Sequence, residues 1–491
     1  MSDAARDFVA VLDRFVGAHV DARQIDAQAR IPADVLGALA DLGVFGACLP
    51  EEHGGGGLDL AGACAVVEAL ARHDRSVATT VGLHLGLGTR GLVAFGTEAQ
   101  RARWLPGLAR GERLAAFATT EPNAGSDLAR LETRLHAEAG RRRLDGHKVY
   151  VTNGGLAHVF TVTAATTGEG AHPGGRALVV LAKDDDGLTT GPEEHKLGLR
   201  GSSTTTLRLE AIDVAPDRIL GDPGCGSEQL AHVLAWGRTV MAAGCIGTAR
   251  AALDKAIDHV RLRRQFGRAL AAQPVVRAQV ADMAATLHAM RALVDAAAAS
   301  VGAVARPSAD SERLSLSAKI LCSEGSGALC DMALQLHGGS GYIEDTGVPL
   351  LMRDARITRI FEGANDVLAT RLGQLELTSP KTPGRADDEA SPELALIDTL
   401  VGDLVKEARG RGLAALRDAV LAHRLGRLVA LREAAHATAA ATPADRPGPV
   451  ADLSRHALAR LAHMCMHVHA LRALASTERI GEALLDDRAQ P

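Results

Sequence analysis

Along the first 116 residues, apolar positions recur every three or four residues in stretches such as IPADVLGALADLG and AGACAVVEALARHD. Turns containing Gly or Pro separate them. This spacing predicts amphipathic helices through 1–116. Over 117–225 the period shortens to two. Short β-branched runs (KVYVTNGG, HVFTVTAATTG, ALVVLAK, STTTLRLEAIDV) alternate with turn clusters and predict a small β-domain. Helical periodicity returns over 226–377, in GTARAALDKAIDHVRLRRQF and AAQPVVRAQVADMAATLHAMRALVDAAAA. It stops at the polar, Pro-containing TSPKTPGRADDEASPE, a predicted linker over 378–393. A last helical block over 394–491 is interrupted by ATPADRPGPVAD. The pattern is α+β and mainly α: helices, a middle β-domain, helices, and a further helical region. One loop stands out. PEEHGGGGLDL (50–60) has four consecutive glycines, which predict flexibility because they have no side chains to pack.

Composition changes this picture little. The 491 residues are 47% hydrophobic and 23% charged, an ordinary globular balance. A net charge of −5 and 2% aromatic residues give no reason to expect nucleic acid as a partner. The seven cysteines are scattered and form no CxxC pair, which fits a reduced compartment. The start, MSDAARDFVAVLDRF, carries acids early and reads as a first helix rather than a targeting peptide. With no uninterrupted 18-residue apolar span evident, the expectation is a cytoplasmic protein.

Four segments carry candidate chemistry. FATTEPNAGSDL (117–128) offers the hydroxyls of Thr119, Thr120 and Ser126 beside Gly125, suited to a polar planar ligand. KVYVTNGG (148–155) places Tyr150 and Thr152 two apart on a strand, where a ring could stack and a hydroxyl could bond. Read alone, the first is equally a hydrogen-bonded turn and the second a half-buried strand ending in Asn153-Gly154. RLRRQFG (261–267) is an arginine-rich helix end, able to hold a pyrophosphate or to face solvent. QLHGGSGYIEDTGVPLLMRDARITRIFEGAND (335–366) joins a glycine-rich turn to an isolated acid, Glu362, between Phe361 and Gly363.

Together, in order and spacing, these segments resemble the acyl-CoA dehydrogenase family over roughly residues 5–377. TEPxxGSD is present at Thr120–Asp127, the W-I-T-N-G strand as Tyr150–Gly154, R-x-Q-F-G at Arg263–Gly267, and Q-x-x-G-G-x-G-Y at Gln335–Tyr342. L-M-R-D-A-R-I then precedes the family's acid in F-E-G. Within the family, GLHLGLGTRGLVAFGTEAQRARWLPGLARGE, NGGLAHVFTV and RIFEGAND look like the very-long-chain branch, as does the further helical region.

The resemblance implies a barrel-like middle domain, a C-terminal four-helix bundle, and FAD-dependent α,β-desaturation of an acyl-CoA to the trans-2-enoyl thioester. Glu362 would take the α-proton, with the β-hydride passing to flavin N5. The thioester carbonyl would be held by the Glu362 amide and a ribityl hydroxyl. Phe117, Thr119, Thr120, Gly125 and Ser126 would line the flavin edge, with Tyr150 and Thr152 against the ring. Arg263, Gln265, Phe266, Gln335, Gly338 and Gly339 would bind the pyrophosphate and adenosine across a subunit interface, which makes a homodimer necessary. Ala364, Asn365 and Asp366 would lie near the adenine or phosphate side. Ser126, Arg238, Phe361 and Gly363 would border the substrate. An electron-transfer flavoprotein is the implied acceptor.

Some relatives place the base on an earlier helix. The matching position here is Gly237, leaving Glu362 as the candidate. Three departures stand out: Tyr150 for the usual Trp, Ala364 for the common Thr, and Ala235-Trp236 before Gly237-Arg238. TTVGLHLGLG (79–88) is expected to line the far end of the acyl chain. Gly82, Gly86 and Gly88 there leave room for a medium-to-long chain. His463, His467 and His469 with Cys465 have no accompanying carboxylate, so no metal site is assigned. The basic amphipathic stretch from Val405 to His436 reads as a packing helix rather than a membrane-surface element. Three other readings stay open: the same chemistry on an acyl-carrier-protein thioester, a non-catalytic assembly module, and a flavin oxidase or oxygenase.

Overall fold

The computed structural model describes residues 3–168, 175–222, 225–302, 308–379, 391–441 and 448–470. Most of the predicted linker, half of the Pro-rich turn and residues 471–491 of the predicted last helical block lie outside them. The N-terminal part contains α1 (Asp3–His19), α2 (Ala22–Gln28), α3 (Ala33–Asp41), α4 (Leu60–His73), α5 (Arg75–Leu83), α6 (Thr89–Phe95) and α7 (Glu98–Ala109). Buried Asp74 separates α4 from α5, its carboxylate capping α5 through the Val77 N–H at 2.6 Å. Thr97 and Gln100 form a capping box at the start of α7. The Gln100 amide also donates to the carbonyls of Asp217 and Ile219, each at 2.9 Å, tying this helix to the sheet.

The glycine loop is not the flexible element that composition predicts. Backbone bonds run from Gly55 to Pro50, Gly56 to Gly46, Gly57 to Leu49 and Leu58 to Ala47. A Cβ at Gly55 would lie 2.1 Å from the Leu49 carbonyl oxygen. Glycine is there because two backbones touch.

The middle sheet contains β1 (Ala115–Ala118), β2 (Arg134–Glu138), β3 (Arg141–Thr152), β4 (Val159–Gly168), β5 (Arg176–Ala182), β6 (Leu188–Thr190), β7 (Thr204–Asp213) and β8 (Ile219–Leu220). Their order is β6-β7-β3-β2-β4-β5-β8, with β1 parallel to β4. β4 pairs with β1 at one end and β2 at the other, so both short strands share one long neighbour. That pairing puts Phe117 opposite Thr161, and the chain then runs into the 119–127 turn.

The C-terminal part is built on α8 (Gly226–Leu262), α9 (Pro274–Gly302), α10 (Ala309–His337), α11 (Val348–Arg356) and α12 (Asn365–Thr378). α8 packs against α10, α4 and α9. An 18-residue window in α8 reaches a mean hydropathy of 1.2, above what the sequence pattern suggested, and 83% of it is buried within the protein. The further helices are α13 (Pro392–Gly410), α14 (Leu413–Arg417), α15 (Ala419–Ala440) and α16 (Pro449–Ala470). α15 lies on α12, α10 and α9. A buried ion pair, Arg432 to Glu376 at 2.8 Å, joins it to α12. On α16, His463 and His467 are exposed while Cys465 is buried, so they occupy different faces. The expected mainly α architecture with a middle sheet domain is the one observed.

Candidate active site

Glu362 stands where helix gives way to helix. After α11, a 3-10 turn (Ile357–Arg359) leads into Phe361, and α12 starts at Asn365. Between them Glu362 has φ +54° and Gly363 φ +102°. Left-handed backbone is costly for a residue that carries a Cβ, so the surrounding packing imposes it. Gly363 is required by its φ, and a Cβ there would also meet Leu368 Cδ2 at 2.8 Å. Its absence of a side chain therefore serves the chain's own packing, a reason different from the substrate access expected of it.

The acid faces α8. A Cβ on Gly237 would sit 3.3 Å from Glu362 Oε2 and 2.3 Å from Leu87 Cδ2. Glu362 as a residue keeps some exposed surface, but Oε2 is enclosed and has no hydrogen-bond partner among the described residues. Burial pushes its pKa up to about 7, against the opposing pull of Arg238, Lys319 and Arg75. Arg238 Nε donates to the Glu362 carbonyl oxygen at 3.1 Å, so it fixes the backbone rather than pairing with the carboxylate. The Glu362 N–H has no acceptor among the described residues. Phe361 packs against the main hydrophobic core.

Lys319, which the sequence pattern did not single out, holds this loop from beneath. It is wholly buried on α10, and its Nζ donates to the Gly363 carbonyl and to Asn365 Oδ1, both at 2.7 Å. Burial pushes its ammonium down to about 8, with Glu362 opposing that shift. Asn365 is turned inward. Its amide donates to Ser323 Oγ at 3.0 Å and Glu324 Oε1 at 3.3 Å. The polar side-chain atoms of Asn365, expected at the cofactor, are thus bonded within the chain. Asp366 is exposed and receives His423 of α15 at 3.2 Å. Ala364 is the N-cap of α12 and makes no side-chain cap bond.

The acyl-end segment also differs from expectation. α5 ends at Leu83 and His84–Gly88 forms a π-helical turn, a local irregularity frequent at functional sites. Gly82 packs on Val67 and Val240, and Gly88 packs on Ala115. Leu85 and Leu87 are buried, with Leu87 over Gly237. Gly82 and Gly88 thus mark close packing rather than open room, whereas a Cβ at Gly86 would meet only the Gly237 Cα, at 3.8 Å. Trp236, next to Gly237, is capped by the Arg90 guanidinium 3.9 Å from its ring centroid, and Arg90 Nε donates to His232 at 3.1 Å. Burial and Arg90 together push His232 down to about 4, leaving it a neutral acceptor.

A buried ion pair assembles the predicted flavin turn. Lys148 Nζ meets Glu121 Oε1 at 2.7 Å with both side chains essentially inaccessible, and also bonds the Thr119 carbonyl at 3.1 Å. Glu121 in turn accepts the Thr133 N–H at 3.0 Å, and the Val149 N–H reaches Thr120. The 119–127 turn is thereby clamped to β3. Two residues on, β3 breaks register and Tyr150 adopts φ +56°. Simple alternation would put Lys148 and Tyr150 on one face. Instead Lys148 is buried and Tyr150 is 66% exposed, while Thr152 is half-buried.

These residues fit a flavin. Thr119 Oγ1 is buried with no partner among the described residues, Gly125 has open space where a Cβ would lie, and Ser126 is exposed beside it. The second group of predicted cofactor residues sits elsewhere on the surface. Arg263, Gln265 and Phe266 follow α8; Gln335, Gly338 and Gly339 end α10; stacked rings of His259 and His337, 4.2 Å apart, join the two ends. Phe266 is 90% exposed, and a Cβ at Gly338 or Gly339 would meet nothing. Among the described residues no hydrogen bond links this group to the 119–127 turn.

Three family models match consecutive parts of the chain: the acyl-CoA dehydrogenase N-terminal domain over 2–112, the middle domain over 116–212 and the C-terminal domain over 224–375. A Mycobacterium bovis protein named "Probable acyl-CoA dehydrogenase fadE25" is 38% identical over 346 residues, 70% of this chain and 88% of its own. The mitochondrial very long-chain specific acyl-CoA dehydrogenase of Mus musculus is 34% identical over 74% of this chain and 56% of its own. An acyl-CoA dehydrogenase from Bacillus anthracis solved with FAD superposes with a TM-score of 0.86 at 25% identity, covering 99% of this chain and 91% of that one. The chain belongs to the acyl-CoA dehydrogenase family. It is an FAD-dependent oxidoreductase of that family, and the match to the Bacillus anthracis structure extends over the further helices as well.

Proposed function

We propose that this enzyme converts an acyl-CoA into its trans-2-enoyl thioester, with Glu362 removing the α-proton. The observation that carries the reading is the enclosed, unpartnered Oε2 of Glu362, whose pKa is raised to about 7 by burial. A carboxylate with its basicity raised to working pH is matched to a weakly acidic carbon. In the reaction the α C–H bond breaks and its proton goes to Glu362. The electron pair left behind forms the new double bond as hydride leaves the β-carbon. FAD, when bound, supplies the two-electron oxidation by accepting that hydride.

The chain's other residues position this step. The unbonded Glu362 N–H is available to the thioester carbonyl as negative charge develops on its oxygen. Arg238 and Lys319 hold the next two carbonyls along the chain, of Glu362 and Gly363, at 3.1 and 2.7 Å. Leu87 and Trp236 exclude water from the Gly237 side. Thr119, Gly125, Ser126 and Tyr150 would hold the flavin ring, and the Arg263 and Gly338 turns would hold the distal part of a cofactor bound by a second subunit. A homodimer and an electron-transfer flavoprotein as acceptor complete the proposal.

Anaerobic titration of the purified holoenzyme tests it. A panel of acyl-CoA esters and of pantetheine-linked acyl carrier proteins should include a CoA ester that bleaches the flavin absorbance. Bleaching only by carrier-linked thioesters would move the substrate assignment to the carrier protein, and bleaching by none would end the dehydrogenase reading.

A further inference from the structure

A partly enclosed cavity of about 280 Å³ lies between the catalytic bundle and the additional helices, walled by α9, α10, α15 and α16. Its size is near the lower end of small-molecule pockets. Most of the wall is apolar, from Ala289, Ile320, Leu321, Leu431, Leu461 and Met464. The polar lining is strongly one-sided: three guanidinium groups, of Arg359, Arg427 and Arg460, against the single carboxylate of Glu324.

Two of these cations are neutralised. Arg427 pairs with Glu324 Oε2 at 2.8 Å, and Arg460 pairs with Asp282 at 2.6 Å. Arg359 is different. Among the described residues its Nη2 donates only to the Glu324 backbone carbonyl, at 3.3 Å, and its enclosed Nε has no partner. A guanidinium donor shielded from water and lacking an acceptor is costly, and an anion placed against it removes that cost. An apolar wall with one unneutralised cation has the complementarity of a single-chain amphiphile with an anionic head.

We propose that this interdomain cavity binds a medium-chain fatty carboxylate, its head on Arg359 and its chain along Leu321, Leu431 and Leu461. The site is separate from the Glu362 pocket and does not depend on the redox assignment. It is nevertheless connected to the acid loop. Glu324 accepts from Asn365, Asn365 accepts from Lys319, and Lys319 donates to the Gly363 carbonyl. Arg359 itself lies three residues before Glu362.

Calorimetric titration of the full-length holoenzyme with decanoate, decanol and decyltrimethylammonium is the test. Decanoate should bind at least ten-fold more tightly than decanol, and the cationic amphiphile should not bind. Arg359→Gln should weaken decanoate at least ten-fold. Leu461→Trp, which fills the cavity from the additional region without touching the acid loop, should abolish binding and keeps the test valid if the Arg359 variant misfolds. Hydrogen exchange should slow on decanoate binding in 359–366 and 457–468. Equal affinity for decanoate and decanol, or unchanged binding in Leu461→Trp, would overturn the proposal. So would competition between decanoate and an acyl-CoA ester at the flavin site.

Discussion

The Glu362 carboxylate lies against Gly237 of α8, so closely that a Cβ there would be 3.3 Å from Oε2. The acid and the glycine come from elements 125 residues apart and share one small enclosed space.

The raised pKa of that acid has two consequences of known sign. Catalysis needs the ionised form, so kcat/KM should rise with pH through about 7, the pKa of Glu362 in the free enzyme. Folding stability should run the other way. Above its ordinary 4.5 the unfolded chain loses this proton while the folded protein keeps it, so the Glu362 contribution falls as pH rises from 4.5 through about 7. Glu362→Gln should keep bound FAD, lose reduction by substrate, and be more stable than the parent at pH 8 by up to about 3 kcal/mol. The advantage should vanish near pH 4. Denaturant melts at both pH values check this.

Lys319→Met removes two 2.7 Å bonds that hold the acid loop and one cation that favours the ionised acid. It should destabilise the protein by about 2–4 kcal/mol. It should also shift the acidic limb of the kcat/KM profile to higher pH. A loss of stability with no shift of that limb would reduce Lys319 to a packing role.

The Lys148–Glu121 pair clamps the flavin turn to β3. Lys148→Met alone leaves a buried carboxylate without its partner and should cost about 3–5 kcal/mol. FAD should be lost on gel filtration, read as a fall in the 450 to 280 nm absorbance ratio. Lys148→Met with Glu121→Leu should recover much of the stability but less of the FAD, because the Thr133 N–H also loses its acceptor.

Ala364 occupies the N-cap of α12 without a cap bond. Ala364→Thr should gain about 1 kcal/mol by supplying a side-chain acceptor to the first turn. A chemical denaturation midpoint measures it.

Much of this was legible in the chain. The change from a period near 3.6 to a period of two, and back, marks the middle sheet because burial on one face of a helix or strand leaves that trace. Glu362 was visible as an acid among apolar neighbours, and TEPNAGSD and KVYVTNGG were visible through turn chemistry. The contacts between distant segments were not. Lys319, in SLSAKILC, looks like any helical lysine until Gly363 and Asn365 are folded onto it. The left-handed backbone of Tyr150 overrides strand alternation, and a bulge leaves no mark in residue type. The four glycines of 54–57 misled in the other direction: composition reads as freedom what the fold uses for backbone contact.

The backbone angle at Glu362 has a further implication for anyone who mutagenises this enzyme. At φ +54° a glycine or asparagine is more comfortable than a glutamate. A library at position 362 sorted for heat resistance alone should therefore enrich Gly and Asn, and the hottest survivors should be catalytically silent.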